Sequence, residues 1–307
     1  MIAPLRLGTR GSLLARAQSQ GIADDLIRLR PGLRVDLILI KTTGDRVQDR
    51  PLYEVGGKGV FTKELELALL AGEIDFAVHS YKDMPVTQPL VDVTDLVIAG
   101  VPVRADARDV LIGATSIDRL SKGARVGTSS LRRQCQLLDG RPDLKILPLR
   151  GNIDTRLKKL RAGEFDAIVL AAAGLHRAKL FDAAYMHPLD IHRMLPAAGQ
   201  GAIALQCRRD DGPTREVLSQ LDHPDTRRCV DIERDVVRQL NGDCHSPIAA
   251  LAVLESDRIT LRVAVGGPDG SAPVRRASGT GPVKQSQSAD RTLVSQTLAR
   301  HQSSDKK

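Results

Sequence analysis

From residue 5 onward, short apolar runs of strand period alternate with longer runs of helix period, and this constrains the fold more than any other feature. Strands separated by helices pair into one sheet whose faces the helices cover. "LRLGTR" (5–10) reads as a strand and "SLLARAQSQGIADDLIRLR" (12–30) as a helix stopped by Pro31-Gly32. "LRVDLILIK" (33–41) is a second strand and "VFTKELELALL" (60–70) a second helix. Ile74, Phe76 and Val78 alternate with polar or small residues as a third strand, which runs out into "HSYKDMP" (79–85). The pattern restarts after "VPVRADARD" (101–109), with strands in "ARVGTSS", "LKILPLRGN" and "DAIVLA" and helices in "SLRRQCQLLDG" and "IDTRLKKLRAG". This predicts α/β domains with largely parallel sheets. "LRLGTRGSLLARAQ" and "ARVGTSSLRRQCQ" echo each other as strand, Gly-Thr, helix, which suggests two similar lobes facing each other.

"LPAAGQGAIALQCR" (195–208) reads as a strand crossing back, so the first domain is expected to be discontinuous. Beyond it the character changes. A helix, "DTRRCVDIERDVVRQL", ends at Asn241-Gly242, a C-cap signal. Strands in hairpin spacing follow, then a closing helix near 286–301. The expected division is 1–101 with 196–217, then 102–195, then a small α+β domain over 218–307. Residues 42–59 are polar, glycine-rich and too long for a plain connection, which fits a lid or binding loop.

The chain has 307 residues, enough for two or three domains, with the 42% hydrophobic and 27% charged content of an ordinary globular protein. No apolar run approaches a membrane span and no signal-peptide pattern opens the chain, so no membrane partner is expected. The four cysteines lie far apart without a C-x-x-C pair. That argues against a metal site or disulfide framework and for reduced thiols in the cytoplasm. The net charge is +8, and residues 121–161 carry all of it, with 11 Lys/Arg against 3 Asp. One basic stretch points to an anionic partner. Trp is absent and aromatics are 2%, so base-stacking platforms for nucleic acid are scarce. A small polyanion fits better.

Within that stretch, "GTSSLRR" places Thr128, Ser129 and Ser130 at a helix start, where free N–H groups bind anions. Plain capping would use the same hydroxyls. However, Arg132 and Arg133 in the first turn oppose the helix dipole, which favours a ligand. "PLRGNIDTR" repeats the arrangement with Arg150 and Arg156, whose forks suit carboxylates. "VGGKGVF" fails the Walker spacing and leaves Lys58 as one cation on the long loop. Cys244 follows a helix C-terminus, the negative end of the dipole, so by itself it reads as an inert loop thiol. Asp83 stands beside a proline, where aspartate commonly shapes a turn. Its strand-tip position is what makes it a catalytic candidate.

"VGGKGVFTKELE", "AVHSYKDMPV", "VGTSSLRRQCQL", "LRGNIDTRL", "AAAGL" and "LPAAGQGA" together closely resemble the porphobilinogen deaminase (hydroxymethylbilane synthase) family, in its order and spacing over most of residues 5–250. The resemblance implies two periplasmic-binding-protein-like α/β lobes and a small C-terminal α+β domain. It implies a monomeric transferase of haem and other tetrapyrrole biosynthesis that joins four porphobilinogens head to tail and releases four ammonia. The implied primer is a dipyrromethane cofactor held by thioether to Cys244. Asp83 matches the family's catalytic carboxylate. Arg10, Arg132, Arg133, Arg150 and Arg156 match arginines that bind acetate and propionate side chains. Ser80, Lys82, Thr128, Ser129 and Ser130 match accompanying ligands, Lys58 the lid lysine and Gln200 a hinge-side contact. No metal is implied. Porphobilinogen that loses ammonia becomes an azafulvenium-type cation, which a carboxylate can stabilise. Each ring brings two carboxylates, so the basic stretch suits the growing chain. Glu54, Asp243 and His245 depart from residues frequent in relatives. The rival reading is a non-catalytic two-lobed anion-binding protein.

Overall fold

The structure is a computed structural model and describes residues 4–43, 61–86, 91–243, 245–283 and 287–303. Along the chain run β1 (Leu5–Thr9), α1 (Leu13–Leu29), β2 (Val35–Leu39), α2 (Lys63–Leu70), β3 (Phe76–Ser80) and β4 (Leu96–Gly100). Next come β5 (Asp109–Ile112), β6 (Arg125–Gly127), α3 (Leu131–Gly140), β7 (Lys145–Leu147), α4 (Ile153–Arg161), β8 (Ala167–Ala171), α5 (Ala172–Arg177) and β9 (Met186–Pro188). The chain ends with β10 (Ile203–Arg208), α6 (Gly212–Ser219), α7 (Pro224–Gln239), β11 (Ile248–Glu255), β12 (Arg258–Val265), β13 (Arg275–Pro282) and α8 (Gln287–Ser303).

Two five-stranded sheets carry the α/β lobes, in the orders β2-β1-β3-β10-β4 and β7-β6-β8-β5-β9. The echo in the sequence corresponds to β1–α1 and β6–α3, which occupy matching places in the two sheets. Both sheets are mixed rather than largely parallel. β1 runs parallel to β2 and β3, but β10 is antiparallel to β3 and β4. In the second sheet β6 runs parallel to β7 and β8, while β5 is antiparallel to β8 and β9. β5 follows directly on the first crossing between the lobes and β10 directly on the return crossing, so each enters from the inter-lobe end. Each therefore runs against the strands that finish there.

Ser12 caps α1 through the Ala15 amide at 3.3 Å. Gln18, Ser19, Ile22, Ala23 and Leu26 form its buried face at helical spacing. Leu7 and Phe76 are fully buried beneath it, and burial of such side chains stabilises by about 1.5–3 kcal/mol each. The C-terminal domain is the antiparallel sheet β11-β12-β13 packed against α7 and α8. Val236, Leu261 and Val294 meet in its core.

The crossings at 101–108 and 189–202 touch where the Ala105 amide donates to the Gly201 carbonyl at 3.2 Å. Gly201 has φ 86°, and a Cβ there would sit 2.5 Å from the Ala105 oxygen, so the second glycine of "GQG" is required by both conformation and contact. Arg104 donates to Glu233 at 2.6 and 3.0 Å and to the Gln200 carbonyl at 2.8 Å, tying both crossings to α7. No helix among the described residues is long and apolar enough to cross a membrane.

Candidate active site

The cleft between the lobes has a volume of about 620 Å³ and lies where the strand tips converge. From the first lobe, Arg10 follows β1, with its guanidinium 4.1 Å from the Phe61 ring centroid. β3 ends in a single 3₁₀ turn, Tyr81–Asp83, which turns Lys82 and Asp83 into the cleft. The Ser80 hydroxyl is held by the Gln18 side chain at 3.2–3.3 Å. Lys82 donates to Gln200 Oε1 at 3.2 Å. Burial pulls its ammonium down to about 8, opposed by the neighbouring Asp83 charge. Among the described residues, none donates a hydrogen bond or forms an ion pair to the Asp83 carboxylate.

The second lobe builds its half differently. Arg132 and Arg133, both buried, converge on Asp109, which is wholly buried at the start of β5. Arg132 Nη1 lies 2.8 Å from Asp109 Oδ2 and Arg133 Nη2 2.7 Å from Asp109 Oδ1. Arg132 also donates to the Leu195 carbonyl at 2.6 Å and Arg133 to the Val169 carbonyl at 2.9 Å. Burial opposes the Asp109 charge, yet the two guanidiniums outweigh it and hold the carboxyl far below its ordinary range. The expectation that their dipole-opposing position needs an external ligand is therefore corrected in part, because the protein supplies a carboxylate of its own. Both arginines still line the cleft. The Gln200 amide donates to Asp109 Oδ1 at 2.9 Å and to the Ala107 carbonyl at 2.7 Å. An unbroken polar chain thus runs from Arg132 and Arg133 through Asp109 and Gln200 to Lys82.

Ser129 exchanges 3.0 Å bonds with the Leu149 backbone, and the Thr128 hydroxyl accepts from the Ser130 amide at 3.2 Å. Ser130 is the N-cap of α3 but makes no side-chain capping bond. Arg156 donates to the Gly151 carbonyl at 2.7 Å, and burial lowers it to about 10, with Arg133 adding to the effect. Arg150 lines the cleft without an ion pair to any described residue. Asp243, His245 and Ser246 also open on the cleft. Asp243 Oδ1 accepts from the His245 and Ser246 amides at 2.9 and 3.0 Å. Cys244 itself, Lys58, Glu54 and most of the expected lid lie outside the described residues.

Two family models cover the chain: "Porphobilinogen deaminase, dipyromethane cofactor binding domain" over residues 5–216 and "Porphobilinogen deaminase, C-terminal domain" over residues 227–299. The chain belongs to the porphobilinogen deaminase family. The porphobilinogen deaminase of Acidithiobacillus ferrooxidans is 46% identical over 298 residues, covering 96% of each chain. That of Syntrophobacter fumaroxidans is 47% identical, covering 96% of this chain and 94% of its own. Among solved structures, an ABC-transporter periplasmic substrate-binding protein from Coxiella burnetii aligns with TM-score 0.44 at 18% identity, covering 71% of this chain and 91% of its own.

The donor set in the cleft fits the family's dipyrromethane. Arginine side chains from two strand-to-helix turns face one space, and the residues on either side of position 244 open on it. A cofactor rich in carboxylates and anchored at that position would lie among cations. Sequence reasoning missed several members of the site. Asp109 lies in "VRADARDV", where nothing distinguishes it from the acids beside it; only the sheet order places it under α3. Arg177, lowered to about 10 by burial, lines the cleft and donates to the Gly201 carbonyl at 2.7 Å. It sits at the end of α5 directly after the "AAAGL" motif, a signal that could have been followed. Gln18 reaches Ser80 within the first lobe across 62 positions, and Arg104 and Arg234 act across domain boundaries, which a linear reading does not reveal.

Proposed function

We propose that the chain joins four porphobilinogens head to tail with release of four ammonia, with Asp83 as the catalytic carboxylate. The observation that carries this reading is the contrast between two cleft acids. Asp243 is committed to the His245 and Ser246 amides, whereas no described residue bonds the Asp83 carboxylate. A carboxylate with open acceptor positions can take a pyrrole N–H, stabilise the cationic ring left by ammonia loss and handle the proton. Arg10, Arg150 and Arg156 hold substrate carboxylates, with Arg132 and Arg133 as the floor. Lys82 and the hydroxyls of Ser80, Thr128, Ser129 and Ser130 complete the polar lining. Lys58 is assigned as a further substrate-binding cation.

Cys244 is the attachment point for the dipyrromethane. When bound, that group supplies the pyrrole end to which the first substrate unit is joined. Asp243 accepts from the His245 and Ser246 amides, and Gln200 links the two lobes through Lys82 and Asp109. Residues 1–101 with 196–217, 102–195 and 218–307 are assigned as the three domains, which the strand order supports. Cys135, Cys207 and Cys229 are free, buried thiols, each pushed up to about 11 by burial, and a cytoplasmic setting is assigned from the spacing of the cysteines. Four arginines of the basic stretch, Arg132, Arg133, Arg150 and Arg156, line the cleft, which supports a small anionic substrate rather than nucleic acid or membrane; the chain is assigned as a monomer.

Intact mass of protein from a tetrapyrrole-making host tests the reading. The parent is expected to carry a two-pyrrole adduct that Cys244→Ala lacks, and Asp83→Asn is expected to keep the adduct but stall in elongation. A parent of unmodified mass would remove the primer, and parental turnover by Asp83→Asn would remove the carboxylate's role.

A further inference from the structure

α7 places two charged residues side by side, and each makes an unusual reach. Glu233 is wholly buried and accepts from Arg104, from the Gly199 amide at 2.7 Å and from the Ala252 amide at 2.9 Å. It therefore ties the crossings to the C-terminal domain. Arg234, about 100° further round the helix, points into the first lobe. Its Nη1 donates to the carbonyls of Tyr81 at 3.4 Å and Met84 at 3.1 Å, and its Nη2 to that of Pro85 at 2.7 Å. Its guanidinium carbon lies 4.8 Å from the Tyr81 ring centroid, within cation–π range.

One planar fork thus spans the turn that carries Lys82 and Asp83. That turn needs an outside partner. It is a single 3₁₀ turn whose only internal closure is the Met84 amide on the Tyr81 carbonyl at 3.2 Å. Pro85 brings no N–H to extend it. Only a guanidinium offers several donors in a fixed plane to reach three carbonyls at once. The same helix ends at Gln239, and the chain continues through Asn241, at φ 52°, and Gly242. The Gly242 amide donates back to the Val237 carbonyl at 2.9 Å.

We propose that Arg234 is a positioning residue for elongation: its three-carbonyl grip on the 81–86 turn fixes the Asp83 carboxylate from the C-terminal domain, through the same helix that Glu233 ties to the crossings. This rests on the assignment of Asp83. A carboxylate displaced by about an ångström would lose rate without losing substrate affinity, by up to about a hundredfold.

Arg234→Lys and Arg234→Met are to be compared with the parent as primer-loaded full-length protein, with Asp83→Asn beside them. Both Arg234 variants are expected to show the parental covalent mass and a KM within about twofold, because the Arg234 guanidinium, although it lines the cleft, donates to backbone carbonyls. The kcat is expected to fall about a hundredfold in Arg234→Met and less in Arg234→Lys, which keeps the charge but not the fork. Amide exchange in residues 81–86 should quicken in both, with β3 itself unchanged. A kcat within about twofold of the parent, or a loss matching the unfolded fraction alone, overturns the inference. A stalled Asp83→Asn beside a normal Arg234→Met overturns it while leaving the role of Asp83 standing. A normal Asp83→Asn removes both.

Discussion

The two lobes present matching strand tips to one cleft but secure them in opposite ways. In the second lobe the reacting end is internally closed: Arg132 and Arg133 share the buried Asp109 and two backbone carbonyls. In the first lobe, Lys82 and Asp83 sit on a short turn whose partners come from elsewhere, Gln200 from a crossing and Arg234 from the C-terminal domain. On the roles proposed above, the difference separates a floor from a working part. A floor must hold positive charge against a growing polyanion and stay put, and one carboxylate shared by two guanidiniums pins both while leaving a net positive charge. A working carboxylate must keep open acceptor positions, so its placement has to come from the backbone around it rather than from bonds to its own oxygens.

The largest effect should come from breaking the floor. Asp109→Asn leaves two buried guanidiniums with their charge uncompensated and is expected to destabilise by about 3–5 kcal/mol, read as a shift in urea midpoint at unchanged slope. A shift equal to that of an exposed control such as Asp118→Asn would mean the pair is not what secures this lobe. The sign of the pH effect follows from the depressed Asp109 carboxyl. Its contribution is present above the ordinary carboxylate value and is lost as pH falls through the lower folded one.

This floor was legible in the sequence only in part. Helix and strand alternation, the echo between lobes and the strand crossing back all rest on local periodicity, and each corresponds to an element found. Clustering of Arg132, Arg133, Arg150 and Arg156 at strand-to-helix turns was also visible, because turn chemistry is local. What charge counting could not show is that the first two arginines are matched by an acid 23 and 24 positions earlier. Nor could it separate them from Arg150, since pairing depends on sheet order. Strand direction failed for the same reason: β5 and β10 look like any apolar strand, and only their entry from the opposite lobe makes them antiparallel.

A medium effect should distinguish the unpaired arginine from the paired ones. Arg150 faces the cleft without a carboxylate from any described residue, so Arg150→Leu removes a ligand contact while leaving the fold alone. The expected loss is about 1.5–3 kcal/mol of binding, or about ten- to a hundredfold in KM, with a weaker salt dependence and an unchanged urea midpoint. Unaltered KM, or a stability loss like that of Asp109→Asn, would erase the distinction between paired and unpaired cations.

The smallest and most diagnostic effect concerns Lys82, which belongs to both halves through its bond to Gln200. Its ammonium is lowered to about 8 from an ordinary 10.5, chiefly by burial. Between those values the unfolded chain binds a proton that the folded chain does not, so this group makes stability rise with pH across the window. Activity should move the other way. If the charged form holds substrate carboxylate, kcat/KM falls as pH rises through about 8, reaching about a tenth one unit higher. Arginine at this position stays charged throughout, so Lys82→Arg should flatten that alkaline limb even if its plateau is lower. An identical limb in parent and variant would assign the titration to another group and reduce Lys82 to a tie between the lobes. A flattened limb would make the first lobe's cation a working part like the carboxylate beside it, set by its surroundings rather than neutralised by a partner.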